Sequence, residues 1–515
     1  MANLVVCCDG TWATPENKTD GVPTPTNVVK IHAAIADADA AGLPQKKYYH
    51  PGVGTEGGIF NKVVGGGIGI GLDQNIKSAY RWLADTYTPG DSIFLFGFSR
   101  GAYTVRSLGG MISGCGLVDF AAMKVSGEKQ WPIVDEVFEN YRDEDAKASK
   151  LTHLRFHHAQ KGKEGKGKTD IHFLGVWDTV GALGIPDELE LINLFDDPEK
   201  HMFHDTGLSR VVKIARHALA MDEPRSTFAP TVWTKVSAAT DCQEIWFPGA
   251  HSDVGGGYIQ SGLSDGALTW MMEEAKTAGL AYRDGALGQL KPDPLDVLHD
   301  PITGIYEGLK ARPRSVPCIT ARTAKKRFHS SALERHKNPP LTQPVFWPSR
   351  QLKKGETATL DIFARQKWNA TTLFLKAGEK YQLSADGEWL DASIKCGPGG
   401  TNDGNFQPGE VLHVLATGLG RVEDWFKRAT DNDLADFKFT RREEDMPWFS
   451  LVGVIANGRA ANNSGKTIAH QTFLIGEGCK LEPDEDGYLY AYANDAWQMY
   501  DNNRGSVQLK VKRLT

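Results

Sequence analysis

The run DSIFLFGFSRGA, residues 91–102, constrains the fold of this chain more than any other feature. An apolar, strand-like stretch leads directly into G-F-S-R-G (residues 97–101), and a helical pattern follows from residue 102 to 111. G-x-S-x-G in this context is typical of a tight turn that lifts a serine hydroxyl clear of a parallel sheet. The run therefore predicts a strand, a turn and a helix, with Ser99 as a nucleophile; a purely structural turn is the alternative.

Short apolar runs alternate with helical patterns through the first half of the chain. The short runs are β-branched or aromatic and end near Gly or Asp, which predicts strands at 4–8, 92–96, 171–177 and 244–247. Helical spacing predicts helices at 72–87 and 211–221. Strands that alternate with helices indicate βαβ units, so we expect an α/β fold with a mostly parallel sheet covered by helices.

A length of 515 residues exceeds what one hydrophobic core usually organises, so two domains are expected. The Pro-rich run KNPPLTQPVFWPSR marks the change between them, and period-two alternation follows it. We predict a catalytic domain at 1–342, a linker at 343–357 and a smaller all-β sandwich domain at 358–515. Helical spacing within the second half predicts a partly helical insertion at about 410–446.

Charge and cysteine content exclude several classes of protein. A net charge of -6 argues against a nucleic-acid partner, because such proteins normally carry a basic face. Seven cysteines without paired spacing predict neither a disulfide framework nor a zinc site, and they fit a reducing cytoplasm. The first residues lack a signal-peptide pattern, so synthesis in the cytoplasm without a signal peptide is expected.

A serine nucleophile needs a histidine base and an orienting carboxylate, which follow it in the order acid, histidine in this fold. Asp178 stands at the end of one predicted strand, and His251 lies in a glycine-rich loop after another. Asp178 is the first choice for the acid, but Asp253, close to His251 in sequence, and Asp222 compete with it. His172 in a strand and His217 in a predicted helix fit supporting roles better.

Acyl transfer also needs N–H groups that stabilise the oxyanion. One is expected from the backbone of Arg100, the residue after the nucleophile. The second is expected from Thr11 in LVVCCDGTW, where Gly10 allows a close approach of the backbone. Asp9 in the same run orients this loop or a metal ion, although one carboxylate is weak evidence for a cation. No cofactor is expected for the chemistry.

Four runs together, LVVCCDGTW, GFSRGAYTVRSLGGMI, FLGVWDTVGALGIP and FPGAHSDVGGGY, closely resemble the catalytic domain of type VI secretion system phospholipase effectors, a branch of the α/β-hydrolases. The resemblance covers most of residues 1 to about 340. It implies Ser99 as nucleophile, Asp178 as acid, His251 as base and phospholipid acyl esters as substrates. The runs at 57–72 and 188–195 would fit a lid or a membrane-contacting edge, or equally well a packed loop and cap helix.

The C-terminal runs SADGEWLDASIKCGPGG, PWFSLVGVIANG and LYAYANDAWQMYDNNRGSVQLKV resemble small bacterial calcium-dependent galactose-binding lectins, which are β-sandwiches. The resemblance implies a Ca²⁺ site held by the side chains of Asp495, Asn502 and Asn503 and by the carbonyls of Met499 and Ala392. Such oxygen ligands suit a hard cation. An Asx-rich surface turn is the alternative, and a bound glycan is a further implication.

Together the two resemblances imply a secreted antibacterial lipase that contacts a membrane surface in a target cell envelope and has secretion-apparatus and immunity proteins as partners. A carboxylesterase or carbohydrate esterase targeted by a glycan-binding module is an alternative. A catalytically silent, lectin-like binding protein is another, and reaction of Ser99 with a fluorophosphonate would distinguish it from an enzyme.

Overall fold

The computed structural model describes residues 1–10, 13–52, 68–143, 151–158, 169–180, 207–302, 311–401, 441–458 and 468–515. The chain divides into two compact units. The first is formed mainly by Met1–Arg312 and Ala321–Phe346, and the second by Pro313–Thr320, Trp347–Gly458 and Ala469–Thr515.

A parallel sheet forms the centre of the first unit. Its strands are β1 (Asn3–Cys8), β4 (Gln45–His50), β5 (Ser92–Phe98), β6 (Ile171–Trp177), β7 (Val212–Ala220) and β8 (Asp241–Phe247). Their order is β4-β1-β5-β6-β7-β8, and every neighbouring pair is parallel. A small antiparallel pair, β2 (Lys18–Thr19) and β3 (Val22–Pro23), lies outside this sheet. This sheet confirms the predicted α/β fold.

Helices cover both faces of the sheet. They are α1 (Asn27–Ala34), α2 (Ile68–Thr86), α3 (Arg100–Cys115), α4 (Phe120–Met123), α5 (Trp131–Arg142), α6 (His251–Gly255), α7 (Gly262–Thr277), α8 (Ala321–Arg327) and α9 (Ser330–Lys337). Short 3-10 turns occur at Gly127–Gln130, Ser226–Phe228, Leu287–Gln289 and Tyr500–Asn502.

Strand β1 shows how the two layers of core are built. Successive side chains of a strand point to opposite faces. Leu4 and Val6 accordingly join a core with residues of α2, α3 and α5, while Val5 and Cys7 join another with residues of α1 and α7. The strand is buried along its whole length, as expected for the interior of a parallel sheet.

The four predicted strands are confirmed at β1, β5, β6 and β8, and the helix predicted at 72–87 is confirmed as α2. The helix predicted at 211–221 is wrong, because these residues form β7. The spacing of apolar residues there fits either period, and pairing with strands on both sides decides the outcome. The polar Arg216 within this strand is held by Asp241 and Glu274.

Two antiparallel sheets form the second unit. One contains β10 (Asn369–Leu375), β16 (Gly487–Ala493), β13 (Leu451–Ala456) and β14 (Gln471–Leu474). The other contains β12 (Ile394–Cys396), β11 (Tyr381–Asp391), β17 (Asn503–Arg513), β9 (Thr357–Phe363) and β15 (Gly478–Leu481). Both sheets contribute to one core, as in a β-sandwich, with Trp389, Phe449 and Leu509 fully buried. The insertion predicted at 410–446 lies outside the described residues up to residue 440.

Two further properties concern the described residues as a whole. None of their helices is both long enough and apolar enough to cross a bilayer. All seven cysteines of the chain lie within these residues; none is in a disulfide, and five are buried.

Candidate active site

Ser99 stands at the junction between β5 and α3 in a strained backbone conformation, with φ 56° and ψ -122°. The glycines on either side leave no room for a side chain. A Cβ atom on Gly97 would lie 2.4 Å from the Gly101 carbonyl oxygen, and one on Gly101 would lie 2.1 Å from the Cys8 carbonyl oxygen. The positive φ lifts Ser99 out of the line of the strand, which is the arrangement that G-x-S-x-G requires.

Asp178 occupies the equivalent position on the neighbouring strand. Phe98 and Trp177, the last residues of β5 and β6, are in register, so the residues that follow them lie side by side. The Ser99 N–H donates to the Trp177 carbonyl at 3.2 Å. Asp178 is fully buried, also has a positive φ of 35°, and accepts the Ala220 N–H at 2.9 Å through Oδ1.

His251 completes the group. Its Nδ1 lies 2.6 Å from Asp178 Oδ2. Because a carboxylate only accepts, Nδ1 carries the proton, and the buried Nε2, which has no partner among the described residues, is left to accept one. Burial lowers the pKa of His251 below its ordinary value, and the bond to Asp178 opposes that shift. His251 is therefore a neutral base at neutral pH.

Two aromatic rings hold the His251 imidazole. The Phe98 ring lies 4.6 Å from it between centroids, and the Phe228 ring meets it edge-on at 5.0 Å. Phe98 directly precedes Ser99, so the imidazole packs beside β5, the strand that leads into Ser99. His251 is the first residue of the short helix α6 rather than part of the predicted glycine-rich loop.

The competing acids have other partners. Asp253 Oδ2 accepts the Ala250 N–H at 2.9 Å, and Asp253 Oδ1 lies 2.6 Å from His299 Nδ1. Asp222 Oδ2 accepts the Gly249 N–H at 2.7 Å. Both carboxylates therefore support the loop and helix that carry His251, whereas the imidazole itself bonds to Asp178.

A buried ion pair behind His251 was missed at the level of sequence. Glu223 Oε2 accepts the His251 backbone N–H at 3.1 Å. The same carboxylate binds Arg225 through two bonds of 2.7 and 2.8 Å, and the guanidinium stacks over Phe228 at 3.6 Å. The charged run DEPR, which begins with the rival Asp222, is the only sequence signal for it.

His217 supports the other side of the site. Its Nε2 accepts the N–H of Thr179, the residue after Asp178, at 3.2 Å. Its Nδ1 faces Glu244 at 3.3 Å, and burial lowers its pKa. His172 Nε2 instead lies 2.8 Å from the Ala278 carbonyl, away from these residues. Of the two histidines, His217 alone contacts the acid's turn.

Of the two residues expected to stabilise the oxyanion, the structure describes only Arg100. Arg100 is the first residue of α3, where backbone N–H groups lie beyond the reach of intrahelical acceptors. Thr11 lies outside the described residues. Its neighbour Gly10 approaches the nucleophile closely, since a Cβ atom there would lie 3.2 Å from Ser99 Cβ.

Asp9 orients the loop after β1. It accepts the Gly10 N–H at 2.7 Å, the Thr26 hydroxyl at 2.6 Å and the Tyr49 hydroxyl at 2.9 Å. Burial raises its pKa to about 6, and these hydrogen bonds limit the rise. Protein donors thus satisfy the carboxyl group, which favours the loop-orienting interpretation over a metal.

The profile of the catalytic domain of Tle1-like phospholipase effectors of the type VI secretion system matches residues 2–274, more than half of the chain. The chain belongs to this family. The match spans all six strands of the parallel sheet and includes Ser99, Asp178 and His251.

Individual proteins resemble this Tle1-like chain over part of its length. An uncharacterized protein of Saccharomyces cerevisiae is 29% identical over 266 residues, 47% of this chain and 35% of the yeast protein. The chain thus matches about a third of that relative's length. An uncharacterized protein from Pseudomonas aeruginosa is 17% identical, with a TM-score of 0.29 over 57% of this chain and 47% of its own.

Two further solved structures resemble parts of the Tle1-like chain. The Tle1 effector bound to the VgrG spike of the type 6 secretion system is 21% identical, with a TM-score of 0.29 over 50% of this chain and 52% of its own. The EclA N-terminal domain, described as a PllA-like lectin, is 16% identical, with a TM-score of 0.18 over 30% of this chain and 94% of its own.

The second unit of the Tle1-like chain contains a buried polar cluster at the start of β17. Asn503 Nδ2 donates to Asp495 Oδ2 at 2.8 Å, and Asn502 Nδ2 donates to Asp391 Oδ1 at 3.0 Å. Burial, together with the charge of Asp391, raises the pKa of Asp495 to about 7. Asp391, which directly precedes Ala392, is a member of this cluster that sequence reasoning did not single out.

This cluster fits a hard cation. Asn502 Oδ1 and Asn503 Oδ1 are buried without a hydrogen-bond donor among the described residues, and two carboxylates lie beside them. Ala392 has a positive φ of 52°, and the Met499 carbonyl accepts the Asn502 N–H at 3.3 Å. Within the described ranges no three His, Cys, Asp or Glu side chains form a metal-binding group, so amide and carbonyl oxygens would have to complete this one.

Proposed function

We propose that this Tle1-like protein is a serine hydrolase that cleaves acyl esters of phospholipids, with Ser99, His251 and Asp178 as its catalytic triad. The observation that carries the proposal is the bond of 2.6 Å between His251 Nδ1 and Asp178 Oδ2, beside a serine at φ 56°. The family's description as phospholipase effectors supports the substrate class.

In the first half of the reaction, His251 Nε2 accepts the hydroxyl proton as Ser99 Oγ attacks the ester carbonyl carbon. The tetrahedral intermediate carries its negative charge on the former carbonyl oxygen, stabilised by the Arg100 N–H and by a donor from the loop after Gly10, for which Thr11 remains the candidate. When the ester bond breaks, the leaving alcohol oxygen takes the proton from His251, and a lysophospholipid departs.

In the second half, water attacks the acyl-enzyme while His251 Nε2 accepts one of its protons. The same proton returns to Ser99 Oγ as the fatty acid leaves. Asp178 stays ionised throughout and stabilises the imidazolium that forms twice per turnover. The Ala220 N–H bond to Asp178 Oδ1 supports this role, because it stabilises the carboxylate form and fixes its orientation.

For the second unit we propose a Ca²⁺ site formed by Asp495, Asn502, Asn503 and the Met499 and Ala392 carbonyls, with Asp391 beside them. The two orphaned amide oxygens support a cation there. When bound, the ion would neutralise two buried carboxylates and organise the loop before β17. The lectin resemblance favours a glycan or lipid headgroup as the ligand of this unit.

The biological setting proposed is delivery by the type VI secretion apparatus into the envelope of a competing bacterium. An immunity protein in the producing cell would then be needed, since the substrate is a component of both cells. The family description supports delivery, and the antibacterial role follows from the substrate class.

The first experiment measures fatty-acid release from mixed phospholipid vesicles by the wild type and by Ser99→Ala, with Ca²⁺ and with chelator. Release by the wild type alone, with a loss of about 10⁴-fold or more in Ser99→Ala, is expected. A fluorophosphonate should label the wild type and not the variant.

Cleavage of short-chain esters without any release from phospholipids would instead indicate a carboxylesterase or carbohydrate esterase. Absence of both labelling and turnover would contradict the enzymatic proposal and leave a binding protein.

A further inference from the structure

Residues 321–346 of the first unit run along the outer edge of the parallel sheet. Helices α8 and α9 both pack against the edge strand β8. Between them, Phe328 pairs alongside Trp246, and the His329 ring stacks on Phe247 with centroids 4.5 Å apart. The His329 N–H also donates to the Trp246 carbonyl at 3.0 Å. This segment is therefore held firmly on the sheet.

Helix α8 carries a dense positive charge on the surface. Arg322, Lys325, Lys326 and Arg327 fall within six residues that contain no acidic side chain, and all four are exposed. The helix has no buried residue. Among the described residues none of these four has an ion-pair partner, although the chain as a whole has a net charge of -6. We call these four side chains the basic surface.

The loop after α9 adds apolar side chains that face water. Leu341 is fully exposed, with a relative accessibility of 105%, and Val345 is 61% exposed. The loop is nevertheless held in place. Arg335 donates to the Gln343 side chain, and His336 Nδ1 lies 2.7 Å from the Phe346 carbonyl. Leu341 and Val345 therefore place two exposed aliphatic side chains on a loop that is fixed in position.

Arg335 also ties this loop to the segment that follows the active-site helices. Its guanidinium donates to the carbonyls of Pro294 and Asp296 at 2.8 Å each. The Asp296 side chain in turn accepts the N–H of Gly262, the first residue of α7. The loop that carries Leu341 is thus connected through Arg335 and Asp296 to α7, which follows His251 in the chain.

We propose that the basic surface, with Leu341 and Val345, docks this protein on a membrane rich in anionic phospholipid. Cationic side chains attract the negative headgroup layer, and exposed aliphatic side chains insert into the interface. Charge complementarity argues for this occupant, because the four exposed cations lie on one helix that contains no acidic side chain. The proposal rests on the proposed phospholipid substrate, since it supplies the route by which the enzyme reaches a bilayer.

The test uses the full chain carrying Ser99→Ala, so that binding is measured without hydrolysis. Cosedimentation is measured with vesicles of phosphatidylcholine alone and of phosphatidylcholine with phosphatidylglycerol in equal parts. Binding to the anionic vesicles is expected to fall by roughly tenfold or more when Arg322, Lys325, Lys326 and Arg327 are all replaced by Gln. It should also weaken with added salt, because exposed charges are screened.

A matched control replaces four exposed lysines elsewhere in the same unit, Lys46, Lys129, Lys235 and Lys276, by Gln. This control should bind anionic vesicles within about twofold of the parent, because the charge removed is equal but scattered. Leu341→Asn should weaken binding by a smaller factor than the quadruple change.

Several outcomes would overturn the docking proposal. One is a loss of vesicle binding in the scattered-lysine control as large as that in the quadruple variant. Another is binding by the quadruple variant that equals that of the parent, and a third is binding of the parent to neutral vesicles as tight as to anionic ones. The last is a quadruple variant that loses binding to duplex DNA but not to vesicles. A soluble short-chain ester, tested with Ser99 restored, should be cleaved equally by the wild type and the quadruple variant. Failure of the wild type to cleave any ester would contradict the proposed chemistry while the vesicle measurements still decide the docking surface.

Discussion

The two units of the chain each bury a cluster of polar side chains, and the clusters differ in how they are satisfied. Around Asp178 the protein supplies a backbone N–H for one carboxylate oxygen and an imidazole for the other. His251 Nε2 has no partner among the described residues and is open to accept a proton. Around Asp495, by contrast, a second carboxylate lies beside two amide oxygens that have no donor among the described residues.

This difference separates a site that the protein completes from a site that a ligand completes. The bond between Asp178 and His251 is formed without any substrate, which is what the proposed proton transfer requires. The cluster of the second unit is electrostatically incomplete, because a buried carboxylate beside another acid is costly without a cation. We therefore expect the function of the site around Asp178 to depend on single side chains. We expect the stability of the cluster around Asp495 to depend on the cation content of the solution.

The largest effect should come from the triad acid. Asp178→Asn is expected to lower kcat by about 10⁴-fold, because the amide cannot hold His251 in the tautomer that leaves Nε2 free. Asp253→Asn is the matched control and should retain most of the activity, since Asp253 bonds to His299 and not to His251. Turnover of a short-chain ester measures both. A larger loss in Asp253→Asn would reverse the assignment.

The next effect concerns the second unit alone. Asp495→Asn is expected to weaken Ca²⁺ binding by about 100-fold, as one of two buried charges is removed. Isothermal titration with Ca²⁺ measures the affinity, and the Tm of the wild type should rise with Ca²⁺ while that of the variant should not. Hydrolysis of a soluble ester by Asp495→Asn should stay unchanged; a parallel loss would show that the two sites are not independent.

A smaller effect is expected behind the triad. His217→Leu leaves the Thr179 N–H buried without an acceptor and should lower kcat by about tenfold, with a destabilisation of about 1–3 kcal/mol. His217→Gln can still accept that N–H through its side-chain oxygen and should recover most of the kcat. Equal losses in both variants would point to packing of the imidazole rather than to the bond.

The smallest effect is a displacement of the pH profile. Because burial lowers the pKa of His251, the neutral base persists below the ordinary pKa of about 6.5. Activity should therefore fall only as the pH drops below that value, and kcat/KM for a soluble ester should have an acidic midpoint under 6.5. The second unit contributes nothing to this midpoint, so it should be the same with Ca²⁺ and with chelator. A midpoint above 6.5 would contradict the assignment.

Sequence reasoning succeeded where the signal was local. The junction at Ser99 was predictable because strand, glycines and helix follow one another within twenty residues. The positions of Asp178 and His251 after strands were predictable for the same reason. The sequence ranked Asp178 above Asp253, but the contact of Asp178 with His251 spans 73 positions and no local pattern contains it.

The residues that were missed act through distant contacts. Glu223 meets His251 across 28 positions, and Asp391 meets Asn502 across 111. The helix wrongly predicted at 211–221 has the same origin, because pairing of β7 with both neighbours overrides a spacing that fits either period. Burial and pairing, rather than local preference, decide these positions.

The contact between Gly101 and β1 restricts the motion of α3 relative to the sheet. With no side chain between them, the first turn of α3 rests directly on the Cys8 and Asp9 carbonyls. This junction cannot open without separating helix from sheet, so we expect the backbone beneath Ser99 to be rigid. Amide hydrogen exchange should therefore be slow at this junction.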